Sequence, residues 1–456
     1  MKKIAIIGAS YLQEPLIEKA KAMGLETHVF AWAAGDVGEV TADHFYPISI
    51  VEKEQILEQC RRIGIDGVCT IASDLAAITV NYVANGLGLC GNTMECTEKS
   101  TNKHAMRLAF EAGGDPSPKS ILVHSAEELK AAALEYPVIV KPVDRSGSRG
   151  ITKVECSEGL ADAIENAKGQ GFEKAALVEE FAAGQEYSVE CISHQGQHHF
   201  LAMTKKFTTG APGFVETGHI QPAPVQPEQL AAVKQVVFHA LDTLGIRNSA
   251  SHSELKISPA GTIRLIEIGG RMGGDFIGSS LVERSTGVDF LRAVIQVALG
   301  QAPDLTPQHP GEAAAVRFVF GQADVDVLEA LRAQHPEYLL EADVQPVVGV
   351  TDSAYNGADD ELQEVQIPVF PGNDLLPVPL IDVDGMDVVQ RFVPADGVHV
   401  GVQAISNGEI VALEGKALPF CQRMHHLSVH AHGGNVKGHR PLVAVQVIVQ
   451  AGGLLH

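Results

Sequence analysis

No two cysteines in this 456-residue chain stand as a CxxC pair, and the seven present (Cys60, Cys69, Cys90, Cys96, Cys156, Cys191 and Cys421) are scattered and odd in number. That argues against a disulfide framework or a zinc module and leaves them as small buried apolar residues. Basic residues are scarce: 34 Lys plus Arg against 56 Asp plus Glu give a net charge of −22. Such a field repels phosphate backbones and anionic lipid, so neither nucleic acid nor membrane is an expected partner. No apolar run approaches the roughly 20 residues of a membrane span. The start, MKKIAIIGAS, reads directly into a strand without a signal-peptide cleavage pattern, so a cytoplasmic location is expected. Two phosphate-binding patterns are missing as well. The turn after the first strand is GASYLQ rather than GxGxxG, which disfavours a dehydrogenase, and no GxxxxGK[ST] nest occurs.

What is there is an α/β chain long enough for two to four domains. Strands KIAIIG, THVFAWA and DGVCTIA alternate with helical spacing, which predicts a Rossmann-like, doubly wound parallel sheet over residues 1–97. Residues 98–119 read as a helix capped near Ser100 or Thr101 followed by the linker GGDPSPKS. Short strands and helices predict a small separate α+β unit over 120–185. Longer strands predict a larger antiparallel α+β domain over 186–310, extended through 311–352. Residues 353–456 change character, rich in Val, Gly and His, and read as a tail or small β appendage. Its histidines His425, His426, His430 and His432 lack carboxylate or Cys support and are assigned no role.

Three stretches carry chemistry. SHSELKISPAGTIRLIEIGGR reads as a hairpin, and a turn centred on Ala260 and Gly261 sets Glu254 opposite Glu267. Opposed carboxylates about 5 Å apart repel unless a cation lies between them. Oxygen-only ligands suit Mg²⁺ or Mn²⁺. The bland alternative is a solvent-facing hairpin. In YPVIVKPVDRSGSRGI, Lys141 ends an apolar strand and needs an anionic partner. The following loop Ser146, Gly147, Ser148, Arg149, Gly150 has small residues whose N–H groups can wrap a polyphosphate, or it is a surface turn. In ALVEEFAAGQEYSVE an extended link between strands can present backbone to a flat heterocycle, with Glu186 at a reach suited to ribose hydroxyls. Beyond these, Arg271 suits a bidentate grip on a carboxylate or acyl phosphate, and Gly273 and Gly274 admit close backbone approach.

In their order along the chain, the Lys141 strand and loop, then the ALVEEFAAG link, then the hairpin, with Lys103 upstream, the three stretches over roughly residues 1–310 resemble the ATP-grasp superfamily, and the Glu267–Gly274 pattern is similar to its amino-acid ligases. The resemblance implies the ATP-grasp fold, in which the small α+β unit over 120–185 is the lid, with ATP and Mg²⁺ or Mn²⁺ as cofactors. It implies Lys103 and Lys141 on the α and β phosphates, Ser146 to Gly150 as a mobile flap, and Glu179, Phe181 and Ala182 as the adenine hinge. It also implies Glu186 as the ribose ligand and Glu254 and Glu267 as metal carboxylates. Lys205 or Lys206 falls where relatives bring a cation to the γ-phosphate, and Lys206, Arg271 and His252 are the expected catalytic residues. His252 shares the face of Glu254, and Glu216 and His219 are candidates for the acceptor site. One departure stands out: Gly269 occupies the place of a family asparagine ligand.

The implied reaction is ATP-dependent joining of a small-molecule carboxylate, an amino acid, to an amine through an acyl phosphate, releasing ADP and phosphate. A carboxylase-type or purine-pathway enzyme activating bicarbonate or formate is one alternative, although no MKM biotin segment is present. A non-catalytic ATP-binding protein is the other. The sequence leaves a homodimer open and does not name the acid or the amine.

Overall fold

The computed structural model describes residues 1–129, 135–211, 213–320, 322–344, 387–389, 401–406, 409–414 and 445–451. Contacts divide the chain into two units, residues 1–215 with 221–311, and residues 216–220 with 312–456.

In the first unit, β1 (Lys3–Ile7), α1 (Glu14–Ala22), β2 (Glu26–Phe30), α2 (Val37–Thr41), β3 (His44–Tyr46), α3 (Lys53–Ile63), β4 (Gly67–Cys69) and α4 (Asp74–Leu87) follow one another. The strands form a parallel sheet in the order β3-β2-β1-β4. Strand alternation splits β1 between two cores: Ile4 and Ile6 enter one with Leu16 and Ile17 of α1, whereas Ala5 and Ile7 enter another with Ile56 and Cys60 of α3. The sequence reading missed α2 and β3. Both are short, and β3 is an edge strand with little buried surface to mark it.

The single helix expected near residue 98 is two helices, α5 (Met94–Thr101) and α6 (Lys103–Gly113). Asn102, not Ser100 or Thr101, is the cap of α6: its side chain accepts from the N–H groups of His104 and Ala105 at 3.0 and 3.1 Å. Lys103 therefore begins α6 and Arg107 follows one turn later on the same face.

A four-stranded antiparallel sheet, in the order β5-β8-β6-β7, is built from β5 (Ser120–Val123), β6 (Val138–Pro142), β7 (Thr152–Val154) and β8 (Ala176–Glu180). Helix α7 (Leu160–Gln170) covers one face, meeting Val138, Val140, Ala176 and Val178. By alternation Lys141 and Glu179 point to the other. The helix expected over AEELKAAALE begins as a single 3₁₀ turn, Ala126–Glu128, and residues 130–134 lie outside the described residues.

The long strands of this unit are β9 (Gln185–His194), β10 (Gln197–Thr208), β12 (Ser249–Ile257) and β13 (Ile263–Gly269), antiparallel in the order β13-β12-β9-β10. Helix α8 (Pro227–Leu244) packs on the face bearing Val189, Cys191, Met203, Leu255 and Leu265. Helices α9 (Val282–Thr286) and α10 (Phe290–Ala298) follow β13.

The hairpin differs instructively from its expected form. Near the turn, Ile257 pairs with Ile263 and Leu255 with Leu265, one residue out of the expected register. A β-bulge then leaves Ile266 unpaired, and beyond it Glu254 stands opposite Glu267. The expected pair is present, but the bulge and not the turn creates it; an unbroken ladder would have set Glu254 against Ile266. Arg107 holds the bulge in place, donating from Nη2 to the Ile266 carbonyl at 2.7 Å.

The second unit contains β11 (Glu216–Gln221, its last residue excepted), β14 (Ala313–Val319), α11 (Gln322–Gln334), β15 (Leu339–Val344) and β19 (Val445–Ala451), with strands in the order β11-β14-β19-β15. A separate antiparallel sheet joins β16 (Asp387–Val389), β17 (Gly401–Ser406) and β18 (Glu409–Glu414). The four tail histidines lie outside the described residues.

Candidate active site

The face of the long sheet turned away from α8 is polar because each strand alternates. On β9 it carries Glu186, Ser188 and Glu190, and across from them β12 sets Lys256, Glu254 and His252. On β10, Thr204 stands opposite Ser188, so Lys206 shares this face and Lys205 points the other way. Lys206 Nζ accordingly reaches Glu254 Oε1 at 2.6 Å and Glu186 Oε1 at 3.7 Å. Lys205 instead lies over the Phe207 ring, where burial pushes its ammonium below the ordinary lysine value. Lys103 Nζ donates to Glu267 Oε1 at 2.7 Å and to the Arg145 carbonyl at 2.5 Å. Each of the two opposed carboxylates thus holds one lysine. Burial raises the Glu254 carboxyl, but Lys206 and His252 outweigh it and keep the group well below the usual carboxylate range.

Beside them lies a closed cluster. Glu179 accepts from Lys141 Nζ on one oxygen at 2.5 Å and from Arg107 on the other at 3.0 Å. Burial works against ionisation of Glu179, yet Arg107 and Lys141 hold it below its ordinary value. Burial lowers Lys141, with Glu179 opposing that shift. The expected anionic partner of Lys141 is therefore the side chain of Glu179, whose backbone is paired on both sides within the sheet.

His252 is buried between two carboxylates: its Nδ1 meets Glu190 Oε1, and its Nε2 lies 3.3 Å from Glu254 Oε1. Glu190, with no exposed surface, also accepts from the Gly273 N–H at 2.9 Å. Burial disfavours the imidazolium, but Glu190 and Glu254 together raise its pKa to about 9. Gly273 is where this pair presses against the backbone, since a Cβ there would lie 2.6 Å from His252 Nδ1 and 2.8 Å from Glu190 Oε1.

Arg271 forms a bidentate pair with Asp74 at the start of α4, at 2.8 and 2.9 Å. Burial opposes the charge on Asp74, and Arg271 overcomes it and holds the carboxyl below its ordinary value. Asp74 also explains Gly269, because a Cβ there would stand 2.8 Å from Asp74 Oδ1. The space a family asparagine would claim is taken by this carboxylate.

The small-residue loop after β6 has two successive left-handed residues, Gly147 at φ 70° and Ser148 at φ 57°, and Ser148 Oγ donates to the Phe214 carbonyl at 3.3 Å. Gly150 is also left-handed, and Ser146 is exposed. In the link between β8 and β9, Phe181 and Ala182 are half-buried and Lys153 Nζ lies 4.6 Å over the Phe181 ring. Gly184 closes the link at φ 131°, where a Cβ would fall 2.3 Å from the Ile257 carbonyl. In the second unit Glu216 and His219 approach each other at 3.0 Å.

Sequence reasoning missed Arg107, Asp74 and Glu190. A residue four after Lys103 and a carboxylate immediately before an apolar cysteine on a strand were the available signals for Arg107 and Glu190. Asp74 had none, since its partner is 197 residues away.

A glycine-bearing loop, lysines converging from separate sheets and a carboxylate pair on one antiparallel face define the ATP-grasp class of α/β fold. Residues 134–279 match the model of the ATP-grasp domain. The chain is 26% identical over 341 residues to carnosine synthase 1 of Mus musculus, a match covering 68% of this chain and 41% of that protein. It is 26% identical over 318 residues to alanine–anticapsin ligase of Bacillus subtilis (strain 168), covering 64% and 62%. The chain thus spans less than two thirds of the length of these relatives. The crystal structure of an L-amino acid ligase from Bacillus licheniformis superimposes with a TM-score of 0.64 at 25% identity, covering 75% of this chain and 86% of that one. Residues 134–279 thus match an ATP-grasp domain, and the fold is similar to that of the L-amino acid ligase.

Proposed function

We propose that this chain is an ATP-dependent carboxylate–amine ligase, activating an amino-acid carboxylate for attack by the amine of a second small molecule. The observation that carries the reading is the pair Glu254 and Glu267, opposed across the bulge and each held by a buried lysine. Two carboxylates without sulfur or imidazole donors fit Mg²⁺ or Mn²⁺, and the lysines they now engage fit phosphate oxygens. A divalent cation bound there supplies charge neutralisation on the phosphates of ATP.

The protein's own part is positioning and charge. Lys103, Lys141 and Lys206 offer ammonium groups to the nucleotide phosphates, the loop Ser146 to Gly150 offers backbone N–H groups, and Phe181 and Ala182 offer the link backbone to adenine while Glu186 takes ribose. The substrate carboxylate attacks the γ-phosphorus, the bond to the β–γ bridging oxygen breaks, and ADP leaves. The amine then attacks the acyl phosphate carbonyl, phosphate departs, and the amine loses one proton. His252, protonated near neutral pH and fixed by Glu190, is a cationic donor beside Glu254. Arg271, oriented by Asp74, lies just beyond the end of β13, the strand that carries Glu267, and suits a carboxylate or acyl phosphate. The small-molecule reactants match the chemistry in the names of the ligases above.

A screen of amino acids paired with amines, with ATP and Mg²⁺, tests this by coupled phosphate release and mass detection of the amide. Equimolar amide, ADP and phosphate with some pair is the expected result. ATP binding without phosphate release from any pair overturns it in favour of a non-catalytic binding protein.

A further inference from the structure

Away from this site, the edge of the first sheet gathers a second set of ligand atoms. Glu26 and His28 alternate onto one face of β2, and His44 of β3 stands directly beside His28 in the parallel register. Glu26 Oε1 lies 3.1 Å from His28 Nε2 and 3.2 Å from His44 Nε2. The two imidazoles stack at 4.7 Å between centroids.

His28 is 3% exposed, yet its Nε2 makes no hydrogen bond; the Glu26 oxygen is near but off the line on which the ring N–H would donate. A buried nitrogen left unsatisfied is uncommon and calls for an explanation. Glu26 Oε1 and the two Nε2 atoms all lie within 4.8 Å of one another, a spacing that three donors to one ion can take. Two donors each 2.0–2.1 Å from a tetrahedral metal stand about 3.3 Å apart, close to both separations here.

The surroundings fix the set in place. Between Glu26 and His28, Thr27 donates from its N–H and hydroxyl to Asp43, at 3.0 and 2.9 Å, and the Asp43 N–H donates back to Thr27 Oγ1 at 2.9 Å. This clamp locks β3 beside β2 immediately before His44. The far nitrogen of His28, Nδ1, is 3.1 Å from Tyr46 Oη, the outer partner that orients a ligating imidazole. The nearby cation Lys3 is anchored elsewhere, donating to the Ile63 carbonyl at 3.1 Å. His44, 51% exposed at its side chain, leaves the set open to solvent.

We propose that Glu26, His28 and His44 form a binding site for a divalent transition metal of the zinc class, separate from the nucleotide site and with a fourth position open to water. Mixed imidazole and carboxylate donors select such ions over Mg²⁺.

The test is a Zn²⁺ titration of the full-length chain, saturated with Mg²⁺, against a chromophoric chelator, followed by Co²⁺ loading and its visible absorption. The wild type is expected to hold one Zn²⁺ that His44→Ala and Glu26→Gln each weaken at least about 100-fold, with the Co²⁺ bands lost. His44 is exposed, so its variant keeps the fold even where His28→Gln does not. No Zn²⁺ taken up by the wild type, or a tight ion retained unchanged by His44→Ala and Glu26→Gln, overturns the proposal.

Discussion

Two charge clusters in this chain use the same residue types to different ends. In one, Glu179, Lys141 and Arg107 have side chains only 3–4% exposed, and both oxygens of the acid are taken by cations. In the other, Lys206 and Lys103 are as buried, at 2% and 5%, but Glu254 and Glu267 keep 24% and 21% of their side-chain surface open. The closed cluster has no capacity left on its acid; the open one has carboxylate oxygens facing solvent and lysines that an anion can recruit. The first orders the site, with Arg107 fixing the bulge that sets Glu254 opposite Glu267 and Glu179 holding the Lys141 ammonium in place. The second has the unspent valence that binding demands.

Glu179→Ala should produce the largest stability loss, since it leaves two cations buried without an acid. A loss of about 3–5 kcal/mol is expected by denaturant unfolding, against less than about 1 kcal/mol for Glu267→Gln. Equal losses would erase the distinction. The activity order should be reversed: Glu267→Gln should lower kcat for phosphate release about 100-fold or more while leaving the far-ultraviolet spectrum unchanged.

The next effect concerns pH. His252 binds its proton more tightly folded, at about 9, than at the ordinary 6.5. Its stabilisation is therefore full below about pH 6.5 and is lost as pH rises through about 9. Unfolding measured between pH 6.5 and 9.5 should show a decline of roughly 2–3 kcal/mol from this group. Glu190→Gln should flatten that decline. The smallest effects separate two neighbours: Lys206→Met should cut kcat roughly 10-fold or more, and Lys205→Met should change it less than about 2-fold, because only the former shares the polar face.

That last pair shows how far the sequence could be read. Alternation alone distinguishes Lys206 from Lys205 once Thr204 is set opposite Ser188, although the strand partners had to be seen first. The opposition of Glu254 and Glu267 was legible, but the expected route to it was not, because a bulge is one unpaired residue with no marker in LIEI. Local patterns also gave the first sheet's main strands and the helix that begins at Lys103, apart from its Asn102 cap. Pairings that depend on distant chain segments stayed hidden: Arg271 with Asp74, His252 with Glu190, and Lys141 with Glu179. Gly269, which looked like a missing ligand, is explained only by the carboxylate that folds against it.

The open carboxylate pair is expected to hold the cation that accompanies the nucleotide. Electron paramagnetic resonance titration of Mn²⁺ into the full chain, with a non-hydrolysable ATP analogue present, tests it most directly. The wild type should bind Mn²⁺ with the nucleotide, and Glu254→Gln and Glu267→Gln should each weaken it at least about 10-fold while Lys205→Met leaves it unchanged. Superimposable titrations for the wild type and both glutamine variants would contradict the account.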